Sequence, residues 1–257
     1  IAIGNVIGSN IANILIVCGM AALVAPIVAT SKGLPRTVWV MLGVTALLAG
    51  LIVYGEINRI AGTVMILLLL AYVYIEYQMA RKGEVAVEEI EEPGFTSLPK
   101  ALFFLFIGLG TVALGAEFMV DSARLVASMV GIPEAVIALT IIAFGTSLPE
   151  LSTCMVAMAK KHGDIVLGNL IGSNVFNILM ILGATALTKP IVEKSFTPQI
   201  VNFDIWMTFG VTAVFGAIIL FFNKIGKGVG IVFVTSYILY VIGIYGYYMM
   251  NTGQAAG

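Results

Sequence analysis

Residues 4–19 read GNVIGSNIANILIVCG and residues 168–183 read GNLIGSNVFNILMILG, with ten of the sixteen positions identical at a constant offset of 164. The register holds through Pro26-Ile27-Val28, answered by Pro190-Ile191-Val192. A fainter echo, three residues out of step, sets Gly43-Val44-Thr45-Ala46 against Gly210-Val211-Thr212-Ala213. Low complexity does not explain the repeated asparagines. The chain therefore contains two copies of one unit, and any fold it adopts must accommodate both.

The solvent for those copies follows from the charges. Only 11% of the 257 residues are charged and 60% are hydrophobic, whereas a soluble domain carries about a quarter charged residues. Too few charges remain to cover a water-facing surface, so lipid must solvate much of the chain. The net charge of −1 and the lack of a basic stripe exclude a nucleic-acid partner. Cys18 and Cys154 each stand alone in an apolar stretch, without the spacing of a metal site or disulfide.

A spanning helix needs about 20 mostly apolar residues. Eight segments qualify, near 1–28, 37–55, 60–80, 100–120, 133–159, 164–188, 202–222 and 228–250. The longest connection, RKGEVAVEEIEEPGFTSLPK, holds five glutamates and reads as a solvated linker over 81–99. One side of the membrane collects nine basic residues, Lys32, Arg36, Arg81, Lys82, Lys100, Lys160, Lys161, Lys224 and Lys227; the other has four, Arg59, Arg124, Lys189 and Lys194. The excess predicts a cytoplasmic linker and an outside C-terminus in a plasma (cytoplasmic) membrane.

Five segments separate a position in the first copy from its counterpart in the second, an odd number, so the copies are expected to cross the membrane in opposite senses. Inverted repeats with a midplane site between them are a recurring transporter plan. The expected fold is an all-α membrane protein of the inverted-repeat transporter kind. The first repeat occupies 1–80 with three helices and the second 100–257 with five. Ile1 opens inside an apolar stretch, so two further helices are expected before it, making ten in the whole protein.

The polar residues within the apolar segments point to cations. Glu150 lies in AFGTSLPELSTCMVAM, where an ionised group costs about 2.5–3.5 kcal/mol on insertion scales. Pro149 removes a helix donor and loosens the carbonyl of Gly145. Thr146 and Ser147, one turn earlier, can share the face of Glu150. Carboxylate, hydroxyls and free carbonyls make a hard-oxygen set of the kind Ca²⁺ or Na⁺ prefers; a proline-kinked helix with a snorkelling glutamate is the bland alternative. Asn169, Ser173 and Asn177 recur every four residues, as do Asn5, Ser9 and Asn13, so each trio lines one helix face. Asn5 and Asn169 fit interhelical hydrogen bonding, worth about 0.6 kcal/mol per contact, as well as they fit ligation. Asn13 and Asn177, placed deeper, fit an ion site better. Gly4 and Gly8, like Gly168 and Gly172, form small-xxx-small pairs that let a second helix approach.

Weaker candidates take structural roles. Glu117, Asp121 and Arg124 share a face near a membrane end and read as an interfacial ion cluster. His162 lies in a loop, and Trp39, Trp206 and the tyrosines of 237–248 read as packing and interfacial anchors.

GTSLPE at 145–150 followed by GNLIGSNVFNI at 168–178 resembles the second alpha-repeat of the sodium/calcium exchanger family, within the calcium/cation antiporter superfamily; GNVIGSNIANI at 4–14 is similar to the later half of the first. The resemblance implies ten helices, both termini outside, and alternating access around a midplane site. It implies that Glu150 is shared between Ca²⁺ and Na⁺. Oxygen would come from Thr146, Ser147, Ser173, Ser9 and the carbonyl of Ala143, with Asn177 and Asn13 completing the site. No cofactor is implied; Ca²⁺ and Na⁺ are the transported ions. Two departures stand out. At the offset of 164 the acidic counterpart of Glu150 falls before Ile1, so this stretch is not expected to transport alone. Some relatives, including the potassium-dependent branch, have aspartate where this chain has Asn177, which argues against potassium dependence.

The leading function is Na⁺/Ca²⁺ antiport rather than enzyme chemistry, and H⁺/Ca²⁺ exchange with the proton on Glu150 is the alternative. An intramembrane hydrolase using Ser147 or Ser152 would need a base, but the one histidine is in a loop and no lysine lies within a span. A channel fits the composition, but inverted repeats with proline-broken segments favour a carrier.

Overall fold

In hydrocarbon every backbone N–H and C=O must find a partner within the protein, which leaves helices as the economical way for these apolar segments to cross. The computed structural model describes the backbone of residues 2–83, 97–130, 137–192 and 196–252, and nearly all of it is helical. In chain order the helices are α1 Ala2–Val24, α2 Leu34–Tyr54, α3 Arg59–Arg81, α4 Leu98–Val130, α5 Leu139–Thr146, α6 Leu148–Ala159, α7 Gly163–Thr188, α8 Ile200–Phe222 and α9 Lys227–Thr252.

Six helices, α1, α2, α3, α7, α8 and α9, are long and apolar enough to span, and the bent pair α5–α6 can serve as a seventh. The expected segment at 100–120 falls within α4, whose described apolar stretch, Leu98–Gly108, is shorter than a full span. Of the expected linker at 81–99, residues 84–96 lie outside the described residues, as do the side chains of Glu117 and Arg124.

Local chemistry sets the ends. Proline follows Leu34 in the first turn of α2, and Gly55 closes that helix at φ 90°, a left-handed conformation that costs glycine nothing. Asn58 caps α3, accepting from the Ala61 N–H at 2.9 Å. Pro26 follows the end of α1, and the chain there forms a strand β1, Ile27–Val28, paired antiparallel with β2, Lys224–Ile225. A second antiparallel bridge joins Ile57 to Ile191.

α1 is the centre of the assembly, with 83% of its span buried, whereas only 17% of the span of α3 is. The apolar side chains of α3 that face outward, Leu67, Leu70 and Tyr74 among them, suit a lipid-facing wall. Tight seams hold the outer helices. α1 meets α9 where a Cβ on Gly19 would lie 2.9 Å from Val234 Cγ2 and 3.1 Å from the Gly230 carbonyl oxygen. α7 meets α3 in the same manner, a Cβ on Gly62 falling 2.9 Å from the Gly183 carbonyl oxygen. α2 packs along α8. Trp39 and Trp206 are exposed, whereas Tyr237 and Tyr240 are buried packing residues. Cys18 and Cys154 are buried and unbonded.

Candidate functional site

The broken segment organises the site. The helix stops at Ser147, whose N–H reaches back only three residues to the Phe144 carbonyl at 3.0 Å, and restarts when Leu151 N–H bonds the Ser147 carbonyl at 2.9 Å. Pro149 sits in the first turn of α6, where its missing donor leaves no intrahelical bond unmade. The axes of α5 and α6 diverge by 46°. Residues before and after the break therefore address different neighbours, and the expected oxygen set divides.

The upstream part faces α1. Thr146 Oγ1 lies 2.9 Å from Ser9 Oγ and donates to the Ala143 carbonyl at 3.0 Å. Asn5 Oδ1 stands 3.4 Å from the Thr146 hydroxyl and 3.5 Å from that of Ser9. The helices meet this closely because residue 8 is glycine: a Cβ there would lie 2.6 Å from both Ala143 Cβ and the Leu139 carbonyl oxygen. Downstream, Glu150 turns toward α7, where Ser173 Oγ approaches its Oε1 at 3.4 Å and donates to Asn169 Oδ1 at 3.1 Å. Among the described residues no hydrogen bond links these two parts.

Between α1 and α7 lies an asparagine cluster. Asn13 Nδ2 donates to Asn174 Oδ1 at 3.1 Å, Asn177 Nδ2 donates to Asn10 Oδ1 at 3.1 Å, and Asn10 Nδ2 donates to the Asn174 carbonyl at 3.2 Å. Asn13 and Asn177 also begin matching π-helical turns, Asn13–Cys18 and Asn177–Leu182. Such turns widen a helix and often mark functional positions. The four-residue stripes do not include Asn10 and Asn174, although each is 1% exposed. The available signal was their place in the GSN triplet shared by both copies.

Three of the four buried side-chain oxygens that make no hydrogen bond among the described residues belong to the expected set: Asn13 Oδ1, Ser147 Oγ and Glu150 Oε2. Leaving such a group unpaired costs about 1–3 kcal/mol, and a hard cation is the partner that oxygen atoms without donors accommodate. Glu150, Ser173 and Asn177 share a cleft of about 390 Å³ with Tyr72, Gly168, Asn169 and Gly172. Thr146, Ser147, Ser9, Asn13 and Ala143 do not line that cleft. Among the described residues that line this cleft, Glu150 carries the charge, with the side-chain oxygens of Asn169, Ser173 and Asn177 beside it.

The chain matches the family profile described as sodium/calcium exchanger protein over residues 1–78 and 100–246. It is 36% identical over 197 residues to the Inner membrane protein YrbG of Escherichia coli, a match covering 74% of this chain and 61% of that protein. It is 33% identical over 242 residues to the Uncharacterized membrane protein MJ0091 of Methanocaldococcus jannaschii, covering 93% of this chain and 75% of the relative. A solved structure of the sodium-calcium exchanger NCX_Mj, soaked with 2.5 mM Na⁺ and 10 mM Sr²⁺, superposes with a TM-score of 0.69 at 33% identity, over 94% of this chain and 76% of that one.

Proposed function

Because the chain belongs to the sodium/calcium exchanger family, we propose that it acts in secondary antiport, exchanging Na⁺ for Ca²⁺ by alternating access at an oxygen site within the membrane. The observation that carries this reading is Glu150. It is an acid inside a bent span, with Oε2 buried and unpaired and Oε1 facing Ser173 across 3.4 Å. Thr146, Ser147, Ser173, Ser9, Asn13, Asn177 and the Ala143 carbonyl are the proposed further ligands. Neutral oxygens around one carboxylate can serve a divalent ion or, with water, monovalent ones. Each ion must vacate oxygens the other needs, so competition couples the two fluxes provided the empty carrier does not cross.

The two repeats, over 1–80 and 100–257 with a linker at 81–99, are proposed to be inverted. Reciprocal contacts support that arrangement. Ile27 pairs with Ile225 as Ile191 pairs with Ile57, and Gly19 meets Gly230 as Gly183 meets Gly62. Each contact recurs with the two copies exchanged, as a pseudo-twofold axis in the membrane plane requires.

The test is radiolabelled Ca²⁺ uptake by the whole protein in vesicles under an outward Na⁺ gradient, beside Glu150→Gln and a pH gradient without sodium. Uptake that needs sodium and is lost in the variant supports exchange through Glu150. Uptake driven by the pH gradient alone would replace sodium with protons, and no uptake under either gradient would sink the calcium assignment.

A further inference from the structure

Asn10 and Asn174 hold the same place in the two copies, at the offset of 164. Each receives the side-chain amide of a proposed ligand, Asn177 Nδ2 donating to Asn10 Oδ1 at 3.1 Å and Asn13 Nδ2 to Asn174 Oδ1 at 3.1 Å. A cation is bound by the oxygen of an amide and repelled by its NH₂, yet the two ends have nearly the same shape and a half-turn exchanges them. We propose that Asn10 and Asn174 are positioning residues that set this polarity. They take the NH₂ of Asn177 and Asn13 so that the oxygens are left for the ion, a role that rests on the exchange reading above.

The wiring follows from atoms that cannot change roles. The Asn174 main-chain carbonyl only accepts, so the Asn10 atom lying 3.2 Å from it is the NH₂ nitrogen. The other end of Asn10 is then an oxygen and needs a donor, which makes the facing atom of Asn177 its nitrogen. In the first copy the anchor is weaker. Asn174 Nδ2 lies 3.9 Å from Met41 Sδ, a weak acceptor and never a donor, and this turns Asn174 Oδ1 toward Asn13. The consequence appears at Asn13, whose Oδ1 is buried and has no hydrogen-bond partner among the described residues. Asn10, Asn13 and Asn174 are all buried, so the network lies within the packed seam of α1, α2 and α7. Partners of this kind, which orient a ligand without touching the ion, change metal affinity by about 10–100-fold when removed.

The test reads ion binding on the purified whole protein, as the rise in melting temperature with Ca²⁺ concentration. Asn174→Ala frees the Asn13 amide to turn over and is expected to weaken Ca²⁺ binding about tenfold. Asn13→Asp has oxygen at both ends and needs no polarity set. In that background the same Asn174→Ala should change the affinity by less than about twofold. Asparagines that only hold the helices in register predict the same loss in both backgrounds, and that result overturns the proposal. Asn174→Leu removes the acceptor but fills the volume, and is carried through the same cycle so that a poorly folding alanine variant leaves it measurable. Asn10→Ala with Asn177→Asp tests the other arm, the loss again expected only beside the native asparagine. A parent that no cation stabilises, or whose stabilisation survives Glu150→Gln, sinks the exchange site and this role with it. Stabilisation that is lost in Glu150→Gln, beside equal losses in both backgrounds, sinks this role alone.

Discussion

The Asn13 side chain donates to Asn174 Oδ1 at 3.1 Å, and the same bond appears with the copies exchanged, Asn177 donating to Asn10 Oδ1 at 3.1 Å. Each of the two repeats thus supplies one donor and one acceptor to the other, in the middle of the seam between α1 and α7. A polar cluster of this kind holds two helices in a single register, because sliding either one leaves amides unpaired in an apolar setting.

The two acceptors are not equivalent. Asn10→Ala removes two amide–oxygen bonds, the one accepted from Asn177 and the one donated to the Asn174 carbonyl, whereas Asn174→Ala removes one such bond and a weaker contact from its Nδ2 to Met41 Sδ at 3.9 Å. Asn10→Ala is expected to cost about 2–4 kcal/mol and Asn174→Ala about 1–3 kcal/mol, from the cost of each buried amide left unpaired. Thermal unfolding of the purified variants checks the order, and a reversed order would show that the cluster is differently wired.

Two glycines in the spans should behave oppositely. Gly8→Ala places a Cβ 2.6 Å from the Leu139 backbone oxygen, and must push α5 off α1, separating Ser9 from Thr146. Gly43 has nothing within 4 Å, so Gly43→Ala is expected to be neutral or stabilising by up to about 1 kcal/mol through helix propensity. Denaturation midpoints and Ca²⁺ uptake, measured together, should be hurt by the first substitution alone.

Asn177→Asp would add a second carboxylate to the cleft that holds Glu150. Calcium affinity should rise by about tenfold, the order expected for one more partly screened charge near the ion. The same substitution puts an acid oxygen against Asn10 Oδ1 in place of the donated bond, so the protein should unfold at a lower temperature without calcium and recover when calcium is added. Melting curves with and without the ion would decide it; equal curves would remove Asn177 from the site.

Asp204 is completely buried in α8, accepts from Tyr240, and keeps Oδ2 unpaired. Asp204→Asn retains an acceptor for Tyr240 and removes a potential charge from the span, so stability should hold or improve. Tyr240→Phe strands Oδ1 and should cost about 1–3 kcal/mol. A Tm comparison of the two variants tests the pair, and a larger loss in Asp204→Asn would point to a role for the carboxylate itself.

Much of this was legible in the residues. Repeated asparagines at four-residue spacing predicted which faces of α1 and α7 are polar, because helical periodicity is local. Pro149 predicted a break in its segment, which lies at Ser147. The partners of that break were not legible. Thr146 and Glu150, four residues apart, were expected on one face, but the 46° bend between α5 and α6 sends one to α1 and the other to α7. Asn10 and Asn174 lie off the stripes at Asn5-Ser9-Asn13 and Asn169-Ser173-Asn177, so the periodicity does not mark them. Only the crossing of α1 over α7 turns those second faces toward each other.

Taken by itself, then, the sequence determined the apolar character, most of the helical segments and the two copies, and it set the expectation of oxygen chemistry, all of which depend on composition and short-range period. The tertiary structure decided which oxygens share a cleft and which are sealed in a seam. That depends on how closely helices approach at Gly8, Gly19 and Gly62 and on the direction of one bend. These are relations between residues far apart in the chain, set by packing, and no local pattern encodes them.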